Sequence, residues 1–396
     1  MKNIVAFVGE TFQYYDGRHY SKPTSVAFLQ DTFGVDKIYA ASPAIKTNAC
    51  PSDFSSAIDS EKFYEFPAYK STKEFFLNTI TKKGYLKSYI DKADEVISDN
   101  SGEFFWIRSP SIGSIVFGLR VLKANQVLLH HMCADASNTW KDSKYTGISK
   151  AFAFFASRVI RYLLKKICSH PNTINFCTGD VLESFSKKYS PNTYQFVDVM
   201  VKDNNIEAYS TPKMEHLRKK LLFVGRMVED KGIFDLIDVV GQLKNSFTLK
   251  LVGDGPDLER ARDLVKSLGL EDTIKFTGQL PHAHLAELFY YSDVVTVPSN
   301  NNYEGFPRVI MEAWSFGKPV VVSNVGGINA FVVHGCNGLI IKPGDRKDLK
   351  NKLEACLNID SYQKLQIGAE SMSEKSLQKY WSKLLLSTVE KYSNVS

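Results

Sequence analysis

The chain has 396 residues, 44% of them hydrophobic and 23% charged. This length suits two domains of ordinary size, and the composition excludes disorder, collagen and a small disulfide scaffold as readings of the whole chain. No apolar run reaches the roughly 18 residues a transmembrane helix needs, and the net charge of +6 gathers in the first 200 residues, which hold 24 Lys and Arg against 19 Asp and Glu.

The opening MKNIVAFVGETF reads as a first strand rather than a signal peptide, because its apolar run stops at Gly9-Glu10 with no small-residue cleavage site. Further strands are expected in the first half at Lys37–Ala41, Glu95–Ser98, Phe104–Arg108, Val127–His131 and Thr173–Cys177. In the second half they are expected at Leu221–Gly225, Thr248–Gly253, Thr273–Gly278, Asp293–Pro298, Pro319–Asn324 and Gly338–Lys342. Runs such as PVVVSN and DVVTVP are β-branched without alternation, the pattern of strands buried on both faces. Strand and helix alternate throughout, which implies parallel sheets with crossover helices. The fold class is therefore α/β with two doubly wound parallel-sheet domains. The polar stretch Val201–Lys220, with Pro212, reads as the linker, and Ser376–Tyr392 as a closing helix with Tyr380, Leu384, Leu385 and Val389 at helical spacing. The expected division is 1–205, 206–374, and a C-terminal helix over 375–396 that packs back towards the first domain.

Cysteines stand at 50, 133, 168, 177, 336 and 356, and none form a C-x-x-C pair. That spacing argues against a cysteine-based zinc or redox site and for reduced structural thiols in a cytoplasmic protein.

Three loops carry chemistry. Gly225-Arg226-Met-Val-Glu-Asp-Lys231-Gly232 directly follows the strand LLFV, where a parallel sheet presents its ligand crevice. Gly225 permits close backbone approach. Arg226 offers a planar fork and Lys231 a point charge to one anion, although a surface loop with two cations would look the same. Glu304-Gly305-Phe306-Pro307-Arg308-Val309-Ile310-Met311-Glu312 follows the strand VVTVPS and the polar loop over 300–303. Here Pro307 suits a first helical turn, the amides near Phe306–Val309 form a phosphate seat, and Glu312 could accept bonds from a vicinal diol. A capping acid and an unrelated helix glutamate remain the alternative. The third loop, Asn324-Val-Gly326-Gly327-Ile328, reads as a plain turn between strand and helix.

In order, the segments GRMVEDKG, LVGDGPDLER, IKFTGQL, ELFYYSDVVTVPS, EGFPRVIMEAWSFGKPVVVSNVGGI and GCNGLIIKPGD resemble the donor half of a family 4 glycosyltransferase, a retaining enzyme of the GT-B fold, over residues 221–345. FFWIRSPSIGS and QVLLHHM resemble the family's acceptor half more loosely. The glycine-rich loop of the first domain has only Tyr15-Asp16-Gly17-Arg18 near it, and QFVDVMVKDNN replaces the usual Pro-Asn-Gly segment. The resemblance implies two Rossmann-like domains facing across a cleft and transfer of a sugar from a nucleotide-diphosphate sugar to a hydroxyl acceptor, lipid-linked or a surface glycan, as in polysaccharide or lipopolysaccharide biosynthesis.

Carried over by position, Arg226 and Lys231 would hold the diphosphate, Glu304 would contact the transferred sugar, and Glu312 the ribose. The backbone of Gly225, Gly305, Phe306, Pro307, Arg308 and Val309 would bracket the donor, with Thr277, Gly278 and Leu280 near the base. His131, or its neighbour His130, would end a strand and face the sugar; adjacent strand residues point to opposite faces, so one at most does so. A core histidine satisfied by hydrogen bonds is the alternative for both. No Asp-x-Asp occurs, so no metal and no other cofactor is expected, the cations taking the metal's electrostatic role. Nucleic acid is not an expected partner.

An epimerase or hydrolase of the same fold, or a non-catalytic nucleotide-sugar-binding subunit, would need the donor site alone. A nicotinamide oxidoreductase is disfavoured because Gly253-Asp-Gly255-Pro-Asp-Leu258 lacks the third glycine and comes after the second strand of its domain. PLP-dependent phosphorylase chemistry is disfavoured by the length and by the lack of an evident lysine anchor. Finally, KAFAFFASRVIRYLLKKIC over Lys150–Cys168 places Arg158, Arg161, Lys165 and Lys166 towards one helical face and Phe152, Phe155, Val159 and Leu163 on another. This is the pattern either of peripheral contact with an anionic membrane, at the inner face of the cell membrane, or of a helix packed on its own domain.

Overall fold

The computed structural model describes residues 2–21, 25–51, 56–142, 145–203, 218–301 and 304–393. The β-branched runs form strands, and the chain divides into two units, residues 1–198 with 382–396, and residues 199–381. The expected boundary at 205/206 and Pro212 lie outside the described residues, as do positions 302 and 303 of the polar loop.

In the first unit the strands are β1 (Ile4–Phe7), β2 (Phe12–Tyr15), β3 (Arg18–Ser21), β4 (Ile38–Lys46), β5 (Ser56–Asp59), β6 (Phe63–Phe66), β7 (Phe104–Ser109), β8 (Val127–Met132), β9 (Thr173–Cys177) and β10 (Thr193–Gln195). Their order is β10-β9-β8-β7-β1-β4-β2-β3-β5, with β6 also on β4. All pairs are parallel except β2–β3 and β3–β5. The antiparallel hairpin was not legible as strand: its residues FQYY and RHYS are mixed in polarity, and Asp16–Gly17 turn it tightly at positive φ. Tyr15–Arg18 thus forms a hairpin turn, and the loop leaving β1 is built instead by Gly9 and Glu10.

The helices are α1 (Ser25–Phe33), α2 (Thr72–Thr81), α3 (Tyr85–Asp99), α4 (Ile112–Lys123), α5 (Gly147–Cys168) and α6 (Asp180–Lys187). The strand expected at Glu95–Ser98 is instead the end of α3. Val96 and Ile97 continue a stripe begun by Tyr89 and Ala93, and this helical period outweighs the short apolar run. Ser71 caps α2 by accepting from the Glu74 amide at 3.2 Å, and a Thr146/Ser149 capping box starts α5. The core gathers Phe7, Phe66, Phe105, Phe117 and Tyr89 with the inner faces of α3, α4 and α5.

In the second unit β11 (Lys219–Val224), β12 (Phe247–Val252), β13 (Ile274–Gly278), β14 (Val294–Val297), β15 (Val320–Ser323) and β16 (Gly338–Ile341) form an all-parallel sheet in the order β13-β12-β11-β14-β15-β16. Its helices are α7 (Ile233–Gln242), α8 (Leu258–Ser267), α9 (His282–Tyr291), α10 (Arg308–Ser315), α11 (Arg346–Ala355), α12 (Ile359–Glu370) and α13 (Gln378–Ser393). The six strands expected here agree with those observed to within two residues at either end. The order reverses direction at β11, so the loops leaving β11 and β14 open side by side at a topological switch point.

Helix α13 divides between the units. The Trp381 ring stacks edge-on against Phe331 and its Nε1 donates to the Lys375 carbonyl at 2.7 Å, within the second unit. From Ser382 onward the helix belongs to the first unit, where the Ser382 hydroxyl bonds Thr32 at 2.7 Å.

Candidate functional site

The loop after β11 is fastened before it presents its cations. Met227 is wholly buried; its amide donates to the Asp254 carbonyl at 2.9 Å, and its carbonyl accepts from Asp257 N at 3.0 Å. The Gly253–Leu258 turn, the segment with a partial dinucleotide fingerprint, is therefore a clasp for this loop. With Met227 held inward, the Arg226 side chain stands exposed, without a partner among the described residues. Gly232 ends the loop at φ +73, where a Cβ would lie 2.0 Å from the Pro298 carbonyl oxygen. Only glycine lets the two loops approach this closely. The Asn300 amide then donates to the Asp230 carbonyl at 2.9 Å, closing the junction.

This junction joins two charges 73 residues apart in sequence. Lys231 Nζ meets Glu304 Oε1 at 2.5 Å, with side chains only 18% and 11% exposed. The other carboxylate oxygen accepts from Asn301 Nδ2 at 3.1 Å, and Asn301 Oδ1 accepts from the Glu304 amide at 3.1 Å. Both oxygens of Glu304 are thus engaged. Asn301 is itself buried. Sequence reasoning passed over Asn301; its one signal is a position three residues before the acid, where an amide side chain can bond a nearby backbone N–H.

The third loop is more than a plain turn. Gly326 has φ +56, and a Cβ there would sit 1.9 Å from the Glu304 carbonyl oxygen. Gly327 N donates to the Gly305 carbonyl at 2.6 Å. The loop after β15 therefore props the backbone that carries Glu304. Phe306 is buried against Phe331 and Trp314. Helix α10 begins at Arg308, with Pro307 as its N-cap and no side-chain cap, and Val309 lies in its first turn. Glu312 lies on α10 four residues beyond Arg308, with Ser315 donating to its carbonyl at 2.7 Å. Thr277, Gly278 and Leu280 lie at the end of the edge strand β13, two strands from β11, so about 10 Å away across the sheet.

In the first unit His130 and His131 lie at the end of β8. Both are at 0% exposure. His130 bonds Ser109 Oγ and Asn175 Oδ1, each at 3.0 Å, and burial pulls its pKa down to about 4. His131 Nε2 lies 3.0 Å from Thr178 Oγ1, and its ring packs against Trp106 and Phe196. Phe196, arriving after β10, lies edge-on to the His131 ring at 5.0 Å. The charges that do meet at this sheet's C-terminal edge were missed. Arg108, ending β7, faces Glu10, in the loop after β1, at 3.4 Å, and Asp198 at 3.8 Å. Their positions at or just beyond strand ends were the available signal.

The six cysteines form no disulfide: Cys168, Cys177 and Cys356 are buried, whereas Cys50 and Cys336 are exposed. Burial pushes the Cys168 and Cys356 thiols up to about 12.

Residues 208–372 match the family described as Glycosyl transferases group 1. An uncharacterized glycosyltransferase of Methanocaldococcus jannaschii is 31% identical over 175 residues, covering 44% of this chain and 48% of that protein. The chain thus spans about half the length of the curated relatives it matches. Among solved structures, sucrose-phosphate synthase from Thermosynechococcus elongatus aligns over 100% of both chains, with TM-score 0.71 and 17% identity. HepE of Anabaena, solved with UDP, aligns over 98% of this chain and 100% of that one, with TM-score 0.67 and 16% identity. The sequence match falls on the unit that carries the Lys231–Glu304 pair, and the chain as a whole has the α/β fold, with two Rossmann-like parallel sheets, of the GT-B glycosyltransferases.

Proposed function

We propose that the protein is a retaining glycosyltransferase of family 4 that moves a sugar from a nucleotide-diphosphate sugar to a hydroxyl on a glycan or lipid-linked acceptor. The observation that carries this reading is the Lys231–Glu304–Asn301 arrangement at the switch point of the second sheet. HepE, of the same fold, was solved with UDP and with UDP-glucose, which supports a nucleotide-sugar donor.

Arg226 and Lys231 receive the diphosphate. Each charge-assisted bond is worth roughly 1.5–3 kcal/mol. The N-terminal end of α10 seats the phosphate. Glu304, its carboxylate held by two partners, orients a sugar hydroxyl, and Glu312 the ribose diol. As the bond from the anomeric carbon to the phosphate oxygen breaks, negative charge grows on the phosphate, where the two cations stabilise it without a metal. The acceptor oxygen forms its bond on the same face, and the departing phosphate oxygen takes the acceptor proton. No protein base is needed, so positioning and charge carry the rate.

A thermal-shift series with UDP, GDP, ADP, dTDP, CMP and NAD, then hydrolysis of the matching sugar nucleotides, tests this. Ligand at 100 times its dissociation constant stabilises by about 2.7 kcal/mol. One nucleoside diphosphate should stabilise selectively, and Glu312→Ala should abolish the effect. A response to NAD alone, or to nothing, refutes the donor site.

A further inference from the structure

Helix α5 has three faces rather than two. Ala153, Ala156, Ile160, Leu164 and Ile167 pack into the core. A second apolar stripe runs through Ile148, Phe152, Phe155, Val159 and Tyr162, at alternating spacings of four and three. The core does not use it: Ile148 is 90% exposed and Phe155 65%. The third face carries Lys150, Arg158, Arg161 and Lys165, and Lys166 continues the apolar stripe at its end. At roughly 100° per residue these three faces lie about 120° apart.

The helix has five Lys and Arg and no Asp or Glu. Each cation lies over an aromatic ring rather than a carboxylate: Lys150 over Trp140, Arg158 over Phe154, Arg161 over Phe185, Lys165 over Tyr189 and Lys166 over Tyr162, at 4.8–5.9 Å. All five residues are exposed to solvent.

Helix α2 extends the same surface. The Phe76 ring meets Phe152 edge-on at 6.2 Å, and in α2 beside Phe76 stand Leu77 and Ile80, the latter 80% exposed. Lys82 and Lys83 come next in the chain. An exposed apolar ridge flanked by cations that have no carboxylate partner among the described residues is chemically complementary to a bilayer with anionic headgroups, the rings entering the acyl boundary and the cations meeting the phosphates. A second copy meeting the same face would set like charges against each other.

We propose that α2 and α5 of the first unit form a docking face for an anionic lipid bilayer. This surface shares no residue with the Lys231–Glu304 site and does not depend on the transferase reading. The test is flotation of the full chain with vesicles of phosphatidylcholine alone, or of phosphatidylcholine with phosphatidylglycerol, at low and high salt. Binding is expected only with phosphatidylglycerol and should weaken as salt rises. Phe155→Ser combined with Ile80→Ser should lower the partition coefficient by about tenfold or more. Arg158→Glu combined with Lys165→Glu should lower it by a similar factor through the lost charge. Ile359→Ser, an equally exposed apolar residue on α12, should change nothing. Circular dichroism and melting confirm that each variant is folded. Failure of the wild-type chain to float, equal binding to neutral vesicles, or flotation undiminished in the paired variants would overturn the proposal. Concentration-dependent self-association that Phe155→Ser abolishes, without flotation, would assign the ridge to a second copy of the chain instead.

Discussion

The propping of Glu304 by the loop after β15 can be isolated by comparing two glycines that differ in one respect. Gly326 and Gly344 share positive φ, +56 and +70, but a Cβ at Gly326 meets the Glu304 carbonyl oxygen at 1.9 Å whereas one at Gly344 meets nothing within 4 Å. Gly344→Ala therefore costs only the left-handed conformation, about 1–2 kcal/mol. Gly326→Ala costs that and more. The Glu304 carbonyl must retreat by about 1 Å, an overpacking cost of roughly 1–3 kcal/mol. The Gly327–Gly305 hydrogen bond is strained or lost, at about 1 kcal/mol. The total is about 3–6 kcal/mol. At about 2–4 °C per kcal/mol for a unit of this size, Gly326→Ala should melt about 6 °C or more below wild type and Gly344→Ala about 2–8 °C below. Nucleotide readout separates the two more sharply. Stabilisation by the nucleoside diphosphate should survive Gly344→Ala and disappear with Gly326→Ala, because Glu304 and the amides after it have moved. Scanning calorimetry of the full chain with and without nucleotide measures both quantities. Equal melting and equal nucleotide response in the two variants would refute the reasoning.

Arg226→Ala, at an exposed and unpartnered side chain, should leave stability within about 0.5 kcal/mol of wild type while lowering sugar-nucleotide turnover at least a hundredfold; unchanged turnover removes Arg226 from the site. Asn301→Ala frees one oxygen of Glu304 and should raise KM for the donor more than it lowers kcat, since the acid stays paired with Lys231; a pure kcat loss in steady-state assays would argue against this positioning role. Activity should persist in EDTA, and its collapse would require a metal. His130 is held neutral by burial, with a pKa of about 4 against 6.5 for the free side chain. The unfolded chain therefore binds the extra proton first, so the part of the stability that rests on His130 is complete above pH 6.5 and falls between 6.5 and 4, by on the order of 3 kcal/mol. Urea midpoints at pH 7 and 5 should differ less in His130→Gln than in wild type, and an identical difference would refute the assignment.

The second unit was legible because its signals are local. Val294–Val297 and Val320–Ser323 are β-branched runs buried on both faces, and such runs read as parallel strands wherever they occur. The loop glycines and charges come after those strands at short range, so their place at the sheet's C-terminal edge came with the strand pattern. What only the tertiary structure decided is which distant groups meet. Lys231 reaches Glu304 because the strand order sets β11 beside β14, and Gly326 reaches the Glu304 backbone because β15 lies next to β14. No periodicity encodes these pairings. The first unit was less legible for the same reason. Its hairpin is built from residues without alternation, its Arg108–Glu10–Asp198 cluster joins three separate strand ends, and the burial of His131 depends on Phe196, 65 residues away. In α5 the sequence determined that four cations gather on one stripe and the exposed apolar residues from Ile148 to Tyr162 on another, because 3.6 residues per turn fixes their angles. Which apolar stripe is buried and which faces water was decided by where the core of the first unit stands.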